Sequence, residues 1–385
     1  MKALILTPSS RTTEVRDIPA PTPGPGEVLI RVHAVALNPV DALYVQEPVA
    51  EQQQRVVGTD FAGIVVGASD ELRGVADGRV QNGTRVAGFL QGASSANDRP
   101  GAFAEYATAP YDLLWTIPES LSFEEAATIS MCGLTAAQGI FDRFGLPGPF
   151  SAGQIVPSDD PINVLVYGSS TSLGQLAAQL VHRVGETSGR SIRLIGVASS
   201  SKHEFLRGAP YKYDYLVDYR QQDWPEQVRR ATGDKGVHFA LDTISERDTV
   251  AKVHSTLNPQ GKYHVFRSAR GGGFDTANLA IQPIYGAVWE GLGVGIGYGH
   301  GVFFPAKPEA REFAAKFFDF LNSGAKENDV KLHPNPIRRM PGGLERIVPD
   351  GFALLTGLVI DRKGFGRTED YMRPISAEKL VYTIE

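Results

Sequence analysis

The stretch Asn163-Val-Leu-Val-Tyr-Gly-Ser-Ser-Thr-Ser-Leu-Gly174 decides how this chain is read. Residues 163–167 form an apolar run of strand length, too continuous for a half-exposed strand and suited to a buried one. The run enters a loop bounded by Gly168 and Gly174. A helix is predicted over Ser172 to Val184, because Leu173, Leu176, Ala177, Leu180, Val181 and Val184 recur at helical spacing. Strand, glycine-bounded loop and helix together are the setting of a dinucleotide-binding turn, in which backbone N–H groups and the helix N-terminus face a pyrophosphate. The loop lacks the full G-x-G-x-x-G. Gly174 fits the last glycine, which permits close helix–strand packing. Ser169 and Thr171 stand where smaller residues are usual, and their hydroxyls are expected to donate to phosphate oxygens. Ser170, Ser172, Leu173 and Gly174 complete the expected phosphate cradle. Gln175 stands where a P-loop needs lysine, which argues against a nucleoside triphosphatase. In isolation the same residues also suit an ordinary turn rich in small side chains.

Downstream, strand and helix alternate. Further strands are predicted at Arg193–Ala198, Tyr215–Asp218, Val237–Asp242 and Lys262–Phe266, with helices at Pro225–Ala231 and Ser245–Thr256. This is the pattern of a doubly wound parallel sheet. The second strand ends Gly196-Val-Ala-Ser-Ser-Ser-Lys202, with no carboxylate to hold a ribose 2′-hydroxyl. Ser199, Ser200 and Lys202 offer hydroxyls and a cation instead, and Tyr219 adds another hydroxyl after the third strand. A 2′-phosphate needs donors and positive charge, so NADPH is expected rather than NADH. The competing reading is that these serines cap the helix beginning near His203.

Upstream of residue 122 the chain reads as all-β. Short strands at Met1–Thr7, Glu27–Ala36, Gly58–Gly67, Gly83–Phe89 and Ala102–Thr108 are separated by glycine and proline, as in a small barrel. Ser122-Phe-Glu-Glu-Ala-Ala opens a helical stretch running to Phe141, with Ser122 as cap. A helix at Glu309–Leu321 and a strand at Leu380–Ile384 close the chain.

Composition narrows the classes. At roughly 150 residues per domain, 385 residues predict two domains, or three. A net charge of −5 with mixed signs excludes a dedicated nucleic-acid or anionic-membrane binder. Cys132 is the one cysteine, so neither an internal disulfide nor a zinc site with two thiolates can form; it is read as a small core residue. The N-terminal apolar run is too short for a signal-peptide core and no stretch reaches the ~18 residues of a membrane span, so a cytoplasmic setting is expected. The sequence contains no G-x-S-x-G elbow and no helical histidine pair. Gly291 to Gly301 carries glycine at every second position, which suits a lid, a dimer-edge strand or a flexible connection.

Pro23-Gly-Pro-Gly-Glu-Val28, Ala36-Leu-Asn-Pro-Val-Asp41, Val57-Gly-Thr-Asp-Phe-Ala-Gly63, Gly101-Ala-Phe-Ala-Glu-Tyr106, Gly133-Leu-Thr-Ala-Ala137 and Glu378-Lys-Leu-Val-Tyr382 together resemble the medium-chain dehydrogenase/reductase superfamily. The resemblance covers nearly the whole chain. It implies an α/β protein, with a GroES-like β-barrel substrate domain over 1–130 and 306–385 and a Rossmann NADP(H)-binding domain over 131–305. Zinc members carry a cysteine after the second strand and a Gly-His-Glu. Here Asn38-Pro-Val-Asp41 and Gly58-Thr-Asp60 stand there, so no metal is expected. The zinc-free quinone oxidoreductases and enoyl reductases remain, and the strings look most like fungal trans-acting enoyl reductases, stand-alone partners of polyketide synthases. That implies NADPH-driven reduction of an α,β-unsaturated carbonyl in a small or carrier-bound enoyl thioester, by a monomer or homodimer. The family places the nicotinamide between the domains. Thr135 would bind its carboxamide, Asn38 would orient ribose or substrate, the backbone at Val265 and Phe266 would hold its edge, and Lys379 would approach the cofactor. Asn38 and Asp41 equally suit a turn at Asn-Pro, and Thr135 a helix position in the seam. Relatives often carry Lys or Tyr where this chain has Leu43, which leaves Tyr44, water or no group at all as the proton source. Quinone reduction, or a scaffold with altered or lost chemistry, are the alternatives.

Overall fold

In the computed structural model, residues 1–155, 160–299, 301–327, 329–362 and 366–384 are described. The first strands are β1 (Lys2–Thr7), β2 (Thr12–Asp17), β3 (Glu27–Ala36), β4 (Arg55–Val56), β5 (Asp60–Ala68), β6 (Arg85–Phe89), β7 (Tyr106–Pro110) and β8 (Leu114–Thr116). Helix α1 (Pro39–Gln46) follows β3. The sequence Asn38-Pro39-Val40-Asp41 starts it: Asn38 is the cap in extended conformation, Pro39 has the φ of a first helical residue, and the Asp41 carboxylate accepts from the Asn38 N–H at 2.8 Å. The Asn-Pro turn expected from sequence is therefore a helix start. Helix α2 (Phe123–Ala126) opens as its residues predict, with Ser122 Oγ accepting from Glu125 N at 3.2 Å and the Glu125 carboxylate accepting from Ser122 N at 2.9 Å. Helix α3 (Ser130–Ala137) runs on through a π-helical turn, Gln138–Arg143.

The next strands are β9 (Ile162–Tyr167), β10 (Ile192–Val197), β11 (Tyr215–Val217), β12 (Val237–Asp242), β13 (Leu257–Val265) and β14 (Ile284–Tyr285), with α4 (Ser172–Ser188) after β9. They form one parallel sheet in the order β11-β10-β9-β12-β13-β14. The order reverses at β9, so the carboxyl end of β9 is the crevice where open α/β sheets take ligands. Every residue of β9 is buried, in keeping with its unbroken apolar run.

A short hairpin, β15 (Ile296–Gly297) and β16 (Phe303–Phe304), and the strands β17 (Ile337–Arg339) and β18 (Lys379–Thr383) complete the chain. A seven-stranded sheet runs β17-β18-β3-β5-β6-β8, with β7 also on β3, and β2-β1-β4 form a smaller sheet. Ile30, Val32, Phe61, Val65, Phe103 and Leu380 pack the core of this part.

Two units result. One contains Met1–Met131, Trp289–Gly357 and Arg362–Glu385, and the other Cys132–Val288 and Leu358–Asp361. The chain rejoins the first unit at Trp289, before the residue 306 expected from sequence. The reason is packing of the Gly291–Gly301 region: Trp289 lies 6.1 Å from the Phe89 ring, and Gly297 N donates to Ser95 Oγ at 3.0 Å. Residue 300 of that run lies outside the described residues. No described helix is long and apolar enough to cross a membrane.

Candidate active site

The loop after β9 closes as a helix cap. Thr171 caps α4, its Oγ1 accepting from Gly174 N at 3.0 Å and lying 2.9 Å from Thr243 Oγ1. Gly174 is obligatory here: a Cβ would stand 2.5 Å from the Gly168 carbonyl oxygen and 2.9 Å from Ser169 backbone. The Ser170 and Leu173 amides meet no protein acceptor among the described residues. Ser170 directly precedes the cap, and Ser172 and Leu173 open the first turn of this 17-residue helix, whose field favours an anion at its N-terminus. Ser169 does not take the phosphate role expected of it. It is fully buried, its hydroxyl donates to the Val166 carbonyl at 2.8 Å and lies 3.2 Å from that of Val197, and its amide is also bonded to Val197 O. A side chain at this position points under the loop, toward β10.

At the end of β10, Ser199 Oγ lies 3.3 Å from Ser201 Oγ, and the Lys202 ammonium meets no carboxylate among the described residues. Asp218, at the end of β11, ties the neighbouring loop down: its carboxylate accepts from Ser200 N and from Arg220 N, each at 2.9 Å. Burial works against this carboxylate, but the Arg220 and Ser200 N–H groups outweigh it and hold its pKa below the ordinary value. Tyr219 is exposed, and the Arg220 guanidinium stacks over its ring at 4.7 Å. Arg220 thus adds a cation that sequence reading missed. The signal available was its position directly after Tyr219 at a strand end.

Elsewhere in this unit, Thr135 is half-buried on α3. Val265 is buried at the end of β13, and the Phe266 amide is spent on Ser245 Oγ at 2.9 Å, so any nicotinamide contact from Phe266 would need another of its groups.

In the first unit, Asn38, Asp41, Thr59, Asp60 and Lys379 form one buried polar cluster. Asn38 Nδ2 donates to Thr59 Oγ1 at 2.9 Å and to Asp60 Oδ2 at 2.8 Å. Thr59 Oγ1 donates to Asp41 Oδ2 at 3.1 Å. The Lys379 ammonium lies 2.6 Å from Asp60 Oδ2 and donates to Thr128 O at 3.3 Å, while Asp60 Oδ1 accepts from Met131 N at 2.9 Å. Asp60 therefore joins β5, β18 and the starts of α1 and α3. Lys379, expected near the cofactor, is an internal ion-pair partner with 2 % of its side chain exposed. Helical geometry places Asp41 and Tyr44 on one face, three residues apart, beside a small cleft that Gly58, Gln91 and Ser94 also line. Leu43 turns outward.

Residues 24–119 match the alcohol dehydrogenase GroES-like domain. The solved alcohol dehydrogenase superfamily protein from Novosphingobium aromaticivorans shares the fold over the whole of both chains, with a TM-score of 0.72 and 20 % identity. Enoyl reductase cheB of Chaetomium globosum is 30 % identical over 374 residues, 96 % of this chain and 90 % of its own. Trans-enoyl reductase FSL5 of Gibberella zeae is 30 % identical over 368 residues, 95 % and 92 % of the two chains. This chain belongs to the trans-enoyl reductases, within the medium-chain dehydrogenase/reductase superfamily.

In this trans-enoyl reductase family member the cluster around Asp60 does not suit a zinc ion. Its centre already holds a cation, Lys379, and Asn38 presents N–H groups rather than a lone pair to Thr59 and Asp60. No group of three or more His, Cys, Asp and Glu among the described residues is placed to hold a metal. The start of α4, with the Ser170 and Leu173 amides bonded to no described residue, has the chemistry to take a dinucleotide pyrophosphate. Gln91 was not singled out in the sequence, because no motif connects it to Asp41 and only folding brings the two to one cleft.

Proposed function

We propose that this oxidoreductase is NADPH-dependent and zinc-independent, and reduces the carbon–carbon double bond of an α,β-unsaturated thioester. The substrate is a small or carrier-bound polyketide intermediate, the partner a polyketide synthase, and the setting cytoplasmic. The observation that carries the cofactor reading is the end of β10. Ser199, Ser200 and Lys202, whose ammonium meets no carboxylate among the described residues, stand where an NAD site would place an acid, with Tyr219 and Arg220 on the adjoining loop. When bound, NADPH supplies a hydride. The Ser170 and Leu173 amides, with Ser172 and Thr171 in the same turn, would hold its pyrophosphate; Thr135 and the backbone at Val265 would hold its nicotinamide. Asn38 orients the reacting groups, and Lys379 acts through Asp60 by holding Asn38 in place.

Replacing Lys202 with alanine removes a charge-assisted contact worth about 1.5–3 kcal/mol. The KM for NADPH is expected to rise about 10–100-fold while that for NADH stays unchanged. Steady-state kinetics with both cofactors tests this, and an equal loss for the two would sink the 2′-phosphate assignment. NADPH oxidation measured with an enoyl thioester, with a quinone and without acceptor tests the reaction. Turnover with the thioester alone is expected. Turnover with the quinone alone would assign a quinone oxidoreductase, and none with either a scaffold without reductase chemistry.

A further inference from the structure

Two groups in the cleft of the first unit have capacity that the protein does not use. Gln91 is 2 % exposed, and its Oε1 accepts from Asn97 Nδ2, yet its Nε2 is buried with no acceptor among the described residues. An unmet buried donor costs about 1–3 kcal/mol and calls for a reason. Asp41 is 5 % exposed; its Oδ2 takes both protein hydrogen bonds, and its other oxygen meets no donor among the described residues. Both residues line the same cleft, with Tyr44 and Gly58. Gly58 keeps the floor close: it has φ +100°, and a Cβ there would stand 2.1 Å from the Phe103 ring.

We propose that this cleft, closed to a water-sized molecule in this structure, opens to take the thioester carbonyl of the substrate, with Gln91 Nε2 donating to the carbonyl oxygen and the Asp41 carboxyl supplying the proton to the α-carbon. The proposal rests on the reductase reading above. The β-carbon gains a hydride with its electron pair from NADPH, leaving NADP⁺. The π pair of the double bond shifts toward the carbonyl, whose oxygen becomes an enolate under the Gln91 N–H. The enolate carbon then takes the proton of Asp41, and the resulting carboxylate regains one from solvent. Atoms and charge balance, with one hydride and one proton added.

The surroundings of Asp41 suit an acid. Burial, and secondarily the Asp60 charge, push its pKa up to about 7 against the opposing Asn38 N–H, Thr59 hydroxyl and Lys379 ammonium. Asp60 faces it from β5, Lys379 from β18, and Tyr44 is the titratable neighbour on its own helix. A substantial fraction of the carboxyl is therefore protonated at neutral pH, as a general acid must be. This places the proton source at Asp41, one turn of helix before Tyr44 and two residues before the outward-facing Leu43.

The test compares wild type with Asp41→Asn and Gln91→Leu, using an enoyl N-acetylcysteamine thioester. Asp41→Asn is expected to lower kcat about 100–10,000-fold and to remove the decline of kcat as pH rises through about 7. Gln91→Leu is expected to lower kcat about 100-fold and to weaken calorimetric binding of the thioester to cofactor-free protein about tenfold. Full activity with an unchanged pH profile in Asp41→Asn overturns the proposal. If wild type reduces no enoyl thioester, the reductase reading fails, and the binding experiment still decides the cleft: equal affinity of wild type and Gln91→Leu overturns it. If Asp41→Asn does not fold, the carbon-13 carboxyl signal of Asp41 in wild type decides. Titration near pH 7 that moves on thioester binding supports the role, and titration near 4 that does not move overturns it.

Discussion

Lys379→Met is expected to destabilise the protein by about 3–5 kcal/mol, because it strands the buried Asp60 carboxylate without its ammonium partner. The Asp60 and Lys379 side chains are 0 % and 2 % exposed, so solvent cannot screen the loss. Asp60→Leu is expected to cost a similar amount by stranding the ammonium. It also removes the acceptor of the Asn38 side chain and of the Met131 amide. The double variant is expected to be more stable than the sum of the two losses, since an ion pair replaced whole leaves no unpaired charge. Denaturant melts of the four proteins check this. Additive single effects would show that the two groups do not act as a pair.

Gly174→Ala is expected to cost about 1–3 kcal/mol and to weaken NADPH binding at least tenfold. The added methyl meets the Gly168 carbonyl and the Ser169 backbone, neither of which can rotate away, so α4 must shift from β9. That shift moves the Ser170 and Leu173 amides away from the place where they face an anion together. Fluorescence titration with NADPH, alongside a thermal melt, separates the binding loss from the stability loss. Wild-type affinity in the variant would mean that the cradle is not at this turn.

Local signals made much of this legible. The unbroken apolar run of β9 and the helical spacing after it announce the parallel sheet, and Gly174 is readable because a single close approach demands a single residue type. Ser122 and Glu125 cap their helix as their spacing predicts. The errors share a cause, which is that a side chain's direction is set by neighbours far away in sequence. Ser169 reads as a phosphate donor until β10 supplies the Val197 carbonyl, 28 residues on. Lys379 reads as a cofactor contact until β18 brings it beside Asp60, 319 residues away. The polar strand β2, Thr-Thr-Glu-Val-Arg-Asp, went unread because an edge strand with little buried surface carries almost no apolar pattern. Gln91 has no readable signal, since what singles it out is a donor without an acceptor.

Asp60 also imposes an order on the birth of the molecule. All six strands of the parallel sheet lie within residues 162–285, so the sheet can pair while the ribosome is still at work. The unit begun first has to wait. Until Lys379 is translated, Asp60 has no counter-charge, and β3 lacks the strand that later pairs Ala34 to Ala36 with Val381 to Thr383. The nascent chain is therefore expected to mature from its middle outward, with its amino-terminal portion the last to become resistant to proteases.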